Sequence, residues 1–208
     1  MVDWLRRNWH RLLVHVIGVG LAIWLLVMYQ FGELALPERF VMLRTGMISL
    51  ILLVASFACT PISKLIGWRR LTLIRRPLGL YGFGFALAHL FVYAWLENGL
   101  EWELIWRDLG ERRAMFVGLI ALLLLVPLAI TSTTGWQRRL GKRWKTLHRL
   151  VYLAIPLAVA HFYLLDRDFK EVPLTFAISV ACLLILRLPL VKLASHSRIV
   201  KNVKIHSK

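Results

Sequence analysis

Acidic residues are scarce in this 208-residue chain. Eleven Asp and Glu stand against 27 Lys and Arg, giving a formal net charge of +16. Such a balance raises the question of nucleic acid. The basic residues, however, cluster between long apolar runs, as loops facing anionic lipid do, so no nucleic-acid partner is expected. Cysteine is nearly absent. Cys59 and Cys182 lie in or beside apolar runs, have no metal-site spacing, and are expected to pack as small hydrophobes. There is no G-x-G-x-x-G, and the basic tail after the last apolar run is short for a folded nucleotide domain, so NAD(P)H binding by the usual route is not expected. Short alternating strands are missing, which excludes a membrane barrel. No internal repeat or low-complexity segment stands out.

What is present is apolar sequence in long blocks. The chain is 59% hydrophobic, with a mean hydropathy of +0.65. Six apolar runs cover about 12–29, 44–60, 77–96, 114–131, 147–165 and 173–191. Each approaches the roughly 20 residues that carry a helix across a bilayer, and backbone in lipid must bond to itself, so each is expected to be helical. The expected fold is an all-α membrane protein: a six-transmembrane-helix bundle forming a single domain over 1–208. Arg6, Arg7 and Arg11 before the first run resemble a signal peptide. That run is longer than a signal core and no A-x-A follows it, so an uncleaved first membrane helix is expected. The loops also fix an expected orientation. Eighteen Lys and Arg fall at one end of the bundle against seven at the other, and ten of the eleven acids share the poorer end. The positive-inside rule then puts both termini in the cytoplasm. The outer loop 97–113, with Trp102 and Trp106 among acids, reads as an interfacial aromatic belt, with a partner-docking surface as the alternative.

Histidine inside apolar runs is the informative exception, because a polar ring in hydrocarbon must find a partner. His89, His148 and His161 are so placed, and His15 lies near the start of the first run. On an outward-running third helix, His89 is ~18 Å from the cytoplasmic end; His161 is ~20 Å beyond His148 on the outward-running fifth. His89 and His161 therefore share a depth in the outer half and could clamp one haem between helices three and five. His148 and His15 match at the cytoplasmic side and would serve a second haem, if there is one. His10, His196 and His206 fall outside the runs and are expected to be solvated. With no C-x-x-C-H for covalent attachment, any haem is b-type. Gly82, seven residues before His89, offers either room for a flat macrocycle or close helix packing. Arg75, Arg76, Arg143 and Arg149, near the cytoplasmic loops, could pair with haem propionates or a flavin phosphate, or serve only as positive-inside charges.

The stretch R-R-P-L-G-L-Y-G-F-G-F-A-L-A-H-L-F-V-Y (Arg75–Tyr93) resembles the third-helix signature of the MsrQ (YedZ) family. So do L-A-I-T-S, R-L-G-K-R-W-K-T-L-H-R-L-V-Y and A-H-F-Y (Leu128–Tyr163). That family lies within the wider ferric-reductase-like transmembrane group. The resemblance implies a haem b membrane subunit of a methionine sulfoxide reductase system in the bacterial inner membrane. Such a subunit is itself non-catalytic: it takes electrons from the quinone pool and passes them to a periplasmic molybdenum-containing partner that repairs oxidised methionine. It also implies His89, His148 and His161 as haem ligands, and an associated FMN to which no residue is assigned. Two other functions stay open from the residues themselves: a ferric or oxygen reductase fed by a separate reductase, and a transporter whose histidines relay protons.

Overall fold

The computed structural model describes residues 2–165 and 170–187, with side chains from Trp9 onward. Residues 188–191 of the sixth apolar run, the basic tail with Lys192 through Lys208, and His196 and His206 lie outside the described residues, as does Arg167. The described part is helical and contains no strand.

Two long helices open the chain, α1 (Val2–Phe31) and α2 (Pro37–Ile66). Proline at the first position of α2 has no N–H to leave unpaired and its φ is already helical. Gly67 ends the helix in the left-handed region, at φ 73°, where a Cβ is costly. Helix α3 (Leu71–Phe91) runs on through a π-helical turn, Val92–Glu97. Then come α4 (Trp102–Glu111), α5 (Arg113–Ile130), the short α6 (Thr134–Leu140) and α7 (Lys142–Leu147), a 3-10 turn at His148–Leu150, α8 (Val151–Leu165) and α9 (Glu171–Ile185).

Five of these stretches are long and apolar enough to cross a membrane: Trp9–Phe31, Pro37–Ile66, Leu71–Glu97, Arg113–Ile130 and Lys142–Leu165. The sixth run is represented by α9, whose described helix has 15 residues. The first three helices overrun their apolar runs because backbone hydrogen bonding continues into polar flanks, while hydropathy marks only the part in contact with lipid. Two segments expected as loops are helical. The loop 97–113 contains α4, and the basic stretch 132–146 contains α6 and α7.

Helix α2 is central. It packs closely on α3, as α5 does on α8, and it contributes to all three apolar clusters. Leu50 and Phe57 pack with Ile155, Val159, Val180 and Leu183. Ile48 and Leu52 meet Leu25 and Phe85, and Leu53 meets Leu125, Leu128 and Ala154. Glycine permits the closeness: a Cβ at Gly82 would stand 2.8 Å from Leu53 Cγ, and one at Gly79 3.1 Å from Ser56 Oγ. Around this core the exposed surface is apolar. Leu13, Val16, Ile17, Ile23 and Leu26 of α1 all face outward, as they must where lipid is the solvent.

Candidate functional site

His89 on α3 and His161 on α8 come together, with ring centroids 6.2 Å apart and ring planes at 77°. Each ring is held the same way. His89 Nδ1 lies 2.8 Å from the Met42 carbonyl on α2. His161 Nδ1 lies 2.7 Å from the Ala114 carbonyl at the start of α5. A carbonyl only accepts, so each Nδ1 carries the proton and donates. Each Nε2 is then the nitrogen with a free lone pair, and neither has a hydrogen-bond partner among the described residues.

This donor set decides which metal group fits. Among the described residues no group of three or more His, Cys, Asp or Glu could cage an ion. Two imidazoles suit a metal whose remaining ligands come from a macrocycle, as in haem. Two rings sharing one iron at about 2 Å each would have centroids about 6 Å apart, because each centroid lies ~1 Å behind its nitrogen. The observed centroid separation, 6.2 Å, is of that size.

His148 sits at the other end of the same helical span, in the 3-10 turn before α8. Its ring stacks on Trp144 at 3.9 Å, and its Nε2 lies 3.1 Å from Thr131 Oγ1. It lines a cavity of about 250 Å³ together with Arg75, Arg76, Gly79, Gln137 and Trp144. Arg75 also reaches Thr60 Oγ1 at 3.3 Å. His15 does not line this cavity. Its Nδ1 lies 3.1 Å from the Tyr81 hydroxyl, and it borders a second cavity of about 600 Å³ with Arg11, Arg76 and Tyr81. Arg149 is exposed and lines neither cavity. Gly82 faces α2: its carbonyl accepts from Ser49 Oγ at 2.8 Å, and Leu53 fills the space beside it. His10 is buried, at 7% exposure, and not solvated.

Several contributors went unnoticed in the sequence. Gly46 and Gly118 lie against the rings of His89 and His161. Arg187, near the end of the described chain, lies 4.0 Å over the Phe57 ring and donates to the Tyr152 hydroxyl at 3.0 Å. One helical turn past His89, the Tyr93 hydroxyl donates to buried Asp108 at 2.8 Å, and Asp108 pairs with Arg112 at 3.3 Å. That contact ties α4 to the end of α3 and leaves Trp102 and Trp106 exposed on one face. Of these, only the glycines had a sequence signal: each precedes its histidine by the same interval.

Fold and site together define a helical protein of several membrane-crossing segments that presents paired imidazoles within its bundle. The family model described as "Ferric reductase like transmembrane component" matches residues 45–159. Three curated relatives, each called protein-methionine-sulfoxide reductase heme-binding subunit MsrQ, align over most of the chain. The one from Caulobacter vibrioides is 38% identical, covering 77% of this chain and 78% of its own. The one from Rhodospirillum rubrum is 43% identical, covering 80% and 81%. The one from Xanthomonas campestris pv. campestris is 46% identical, covering 68% and 65%. The chain belongs to the MsrQ family, within the ferric-reductase-like transmembrane group, and is a multi-pass membrane protein. No solved structure matches it.

Proposed function

We propose that this protein is a b-type haem electron-transfer subunit of a methionine sulfoxide reductase system. It takes electrons from membrane quinol and passes them to a periplasmic molybdenum-containing reductase that repairs oxidised methionine. The observation that carries this reading is the pair of imidazoles 6.2 Å apart, each with its Nδ1 committed to a carbonyl. A haem supplies one-electron redox chemistry, and the protein supplies ligands, burial and orientation. His89 and His161 would ligate from two sides and leave no open position, which favours electron transfer over oxygen chemistry. The carbonyls of Met42 and Ala114 keep the two rings in the tautomer a metal needs. The apolar helices around them exclude water from the electron path.

The basic end of the bundle faces the cytoplasm in this reading, by the positive-inside rule, in the inner membrane of a bacterium. There His148, Arg75 and Arg76 line one cavity. Fixed cations beside an imidazole suit the carboxylates of a second haem or the phosphate of an FMN. The opposite end, with the exposed Trp102 and Trp106, is the side from which electrons leave.

The test is an optical spectrum of detergent-purified protein from haem-replete cells, oxidised and reduced, with haem counted per chain. Low-spin bis-histidine b-type haem is expected. His89→Ala and His161→Ala should each remove the outer haem, and His148→Ala should leave it. A colourless protein, or unchanged spectra in both outer variants, overturns the reading.

A further inference from the structure

The two imidazole seats are built alike. Each histidine bonds a carbonyl 47 residues before it, His89 to Met42 and His161 to Ala114. In each case the residue four positions after that carbonyl is glycine, Gly46 on α2 and Gly118 on α5. A Cβ at Gly46 would stand 3.0 Å from His89 Nδ1 and 3.1 Å from its Cε1. A Cβ at Gly118 would stand 2.5 Å from His161 Nδ1 and 2.7 Å from its Cε1. Met42, Gly46 and His89 thus map onto Ala114, Gly118 and His161 at one common offset, across the two helix pairs α2–α3 and α5–α8.

The helix explains why glycine is needed there. In an α-helix the N–H of residue i+4 already bonds the carbonyl of residue i. Side chains lean toward the helix N-terminus, so a Cβ at i+4 leans over that same carbonyl. An imidazole from a neighbouring helix that donates to this oxygen lies against residue i+4, and at both seats a Cβ there would stand 3.0 Å or less from the ring's Nδ1.

We propose that Gly46 and Gly118 are positioning residues for the two axial histidines. They open the carbonyls of Met42 and Ala114 to the rings, and so fix each ring's rotation and tautomer and tune the potential of the haem the rings share. This rests on the reading of His89 and His161 as haem ligands. A hydrogen bond from the outer ring nitrogen to a carbonyl raises the basicity of the ligating one, which is how an outer contact reaches the metal. The same offset carries His148 onto Arg76, so the pattern is present at the outer site and absent at the inner one.

The experiment compares Gly46→Ala and Gly118→Ala with Gly20→Ala, a membrane-helix glycine whose added Cβ meets nothing within 4 Å. Full-length haem-loaded protein is examined by electron paramagnetic resonance and redox titration. Both site variants should shift the low-spin g-values and the midpoint potential of the outer haem, Gly118→Ala more than Gly46→Ala, with Gly20→Ala matching the wild type. Spectra and potentials unchanged in both site variants overturn the proposal. Haem retained in His89→Ala and His161→Ala instead overturns the ligation reading beneath it. Should the glycine variants fail to accumulate, the wild type decides. Two hyperfine-shifted ring N–H protons that persist in deuterated buffer support the proposal, and their rapid exchange overturns it.

Discussion

Adding one methyl group at Gly82 separates helix packing from cofactor cradling. The new Cβ would stand 2.8 Å from Leu53 Cγ, 3.0 Å from its Cδ2 and 3.1 Å from its backbone nitrogen. Carbon atoms rest at about 3.5–4.0 Å, so α2 and α3 must part locally by several tenths of an ångström or more. Turning the Leu53 side chain gives no full relief, because one of the close atoms is backbone. Leu53 is itself buried against Leu125, Leu128 and Ala154, so the displacement is passed on toward α5 and α8. Overpacking of this kind costs about 1–3 kcal/mol. Stretching the bond from Ser49 Oγ to the Gly82 carbonyl adds about 0.6 kcal/mol. At about 2–4 °C per kcal/mol for a chain of this size, Gly82→Ala should melt about 3–14 °C below the wild type in detergent. Haem per folded chain should not change, since Gly82 faces Leu53. Trimming the neighbour in the double variant Gly82→Ala, Leu53→Ala should return part of the loss as a favourable coupling energy. Loss of haem at an unchanged melting temperature would refute the packing argument and give Gly82 a place beside the macrocycle.

Other perturbations test separate parts of the structure. Phe57, 1% exposed and the platform under Arg187, should cost about 3–5 kcal/mol when cut to alanine, read as a lower melting temperature. Asp108→Ala strips the Tyr93 hydroxyl of its acceptor and should speed hydrogen exchange through residues 102–111. Asp108→Asn keeps an acceptor and should do so far less, and equal exchange in both variants would deny Tyr93 this role. The exposed half of the network, Arg112, should matter less, by no more than about 1 kcal/mol in Arg112→Ala. Thr131→Val removes the hydroxyl 3.1 Å from His148 Nε2 and should perturb only spectroscopic features that His148→Ala also removes.

Much was legible in the order of residues alone. Lipid demands long runs of apolar side chains with self-bonded backbone, so length and hydropathy sufficed to mark the five stretches that can cross a membrane. Hydropathy was blind to α4, whose ten residues mix apolar and charged side chains, and it set the ends of the first three helices too far inward because hydrogen bonding outlasts the apolar run. Counting helical rise placed His89 and His161 at one depth, since rise per residue is nearly constant. Depth is one coordinate only. Which helices touch, and which way each ring turns, depends on packing between segments far apart in the chain.

Packing therefore decided the rest. It put His15 against Tyr81 and away from the cavity that holds His148. It turned Gly82 toward Leu53, and it buried His10. It also brought two imidazole seats to one common pattern: a carbonyl, a glycine one turn later, and a ring that donates to that carbonyl. A sequence determines which side chains must lie in the membrane and how deep. Only the folded bundle decides which of them face one another, because that choice belongs to the fit between surfaces and not to any one helix.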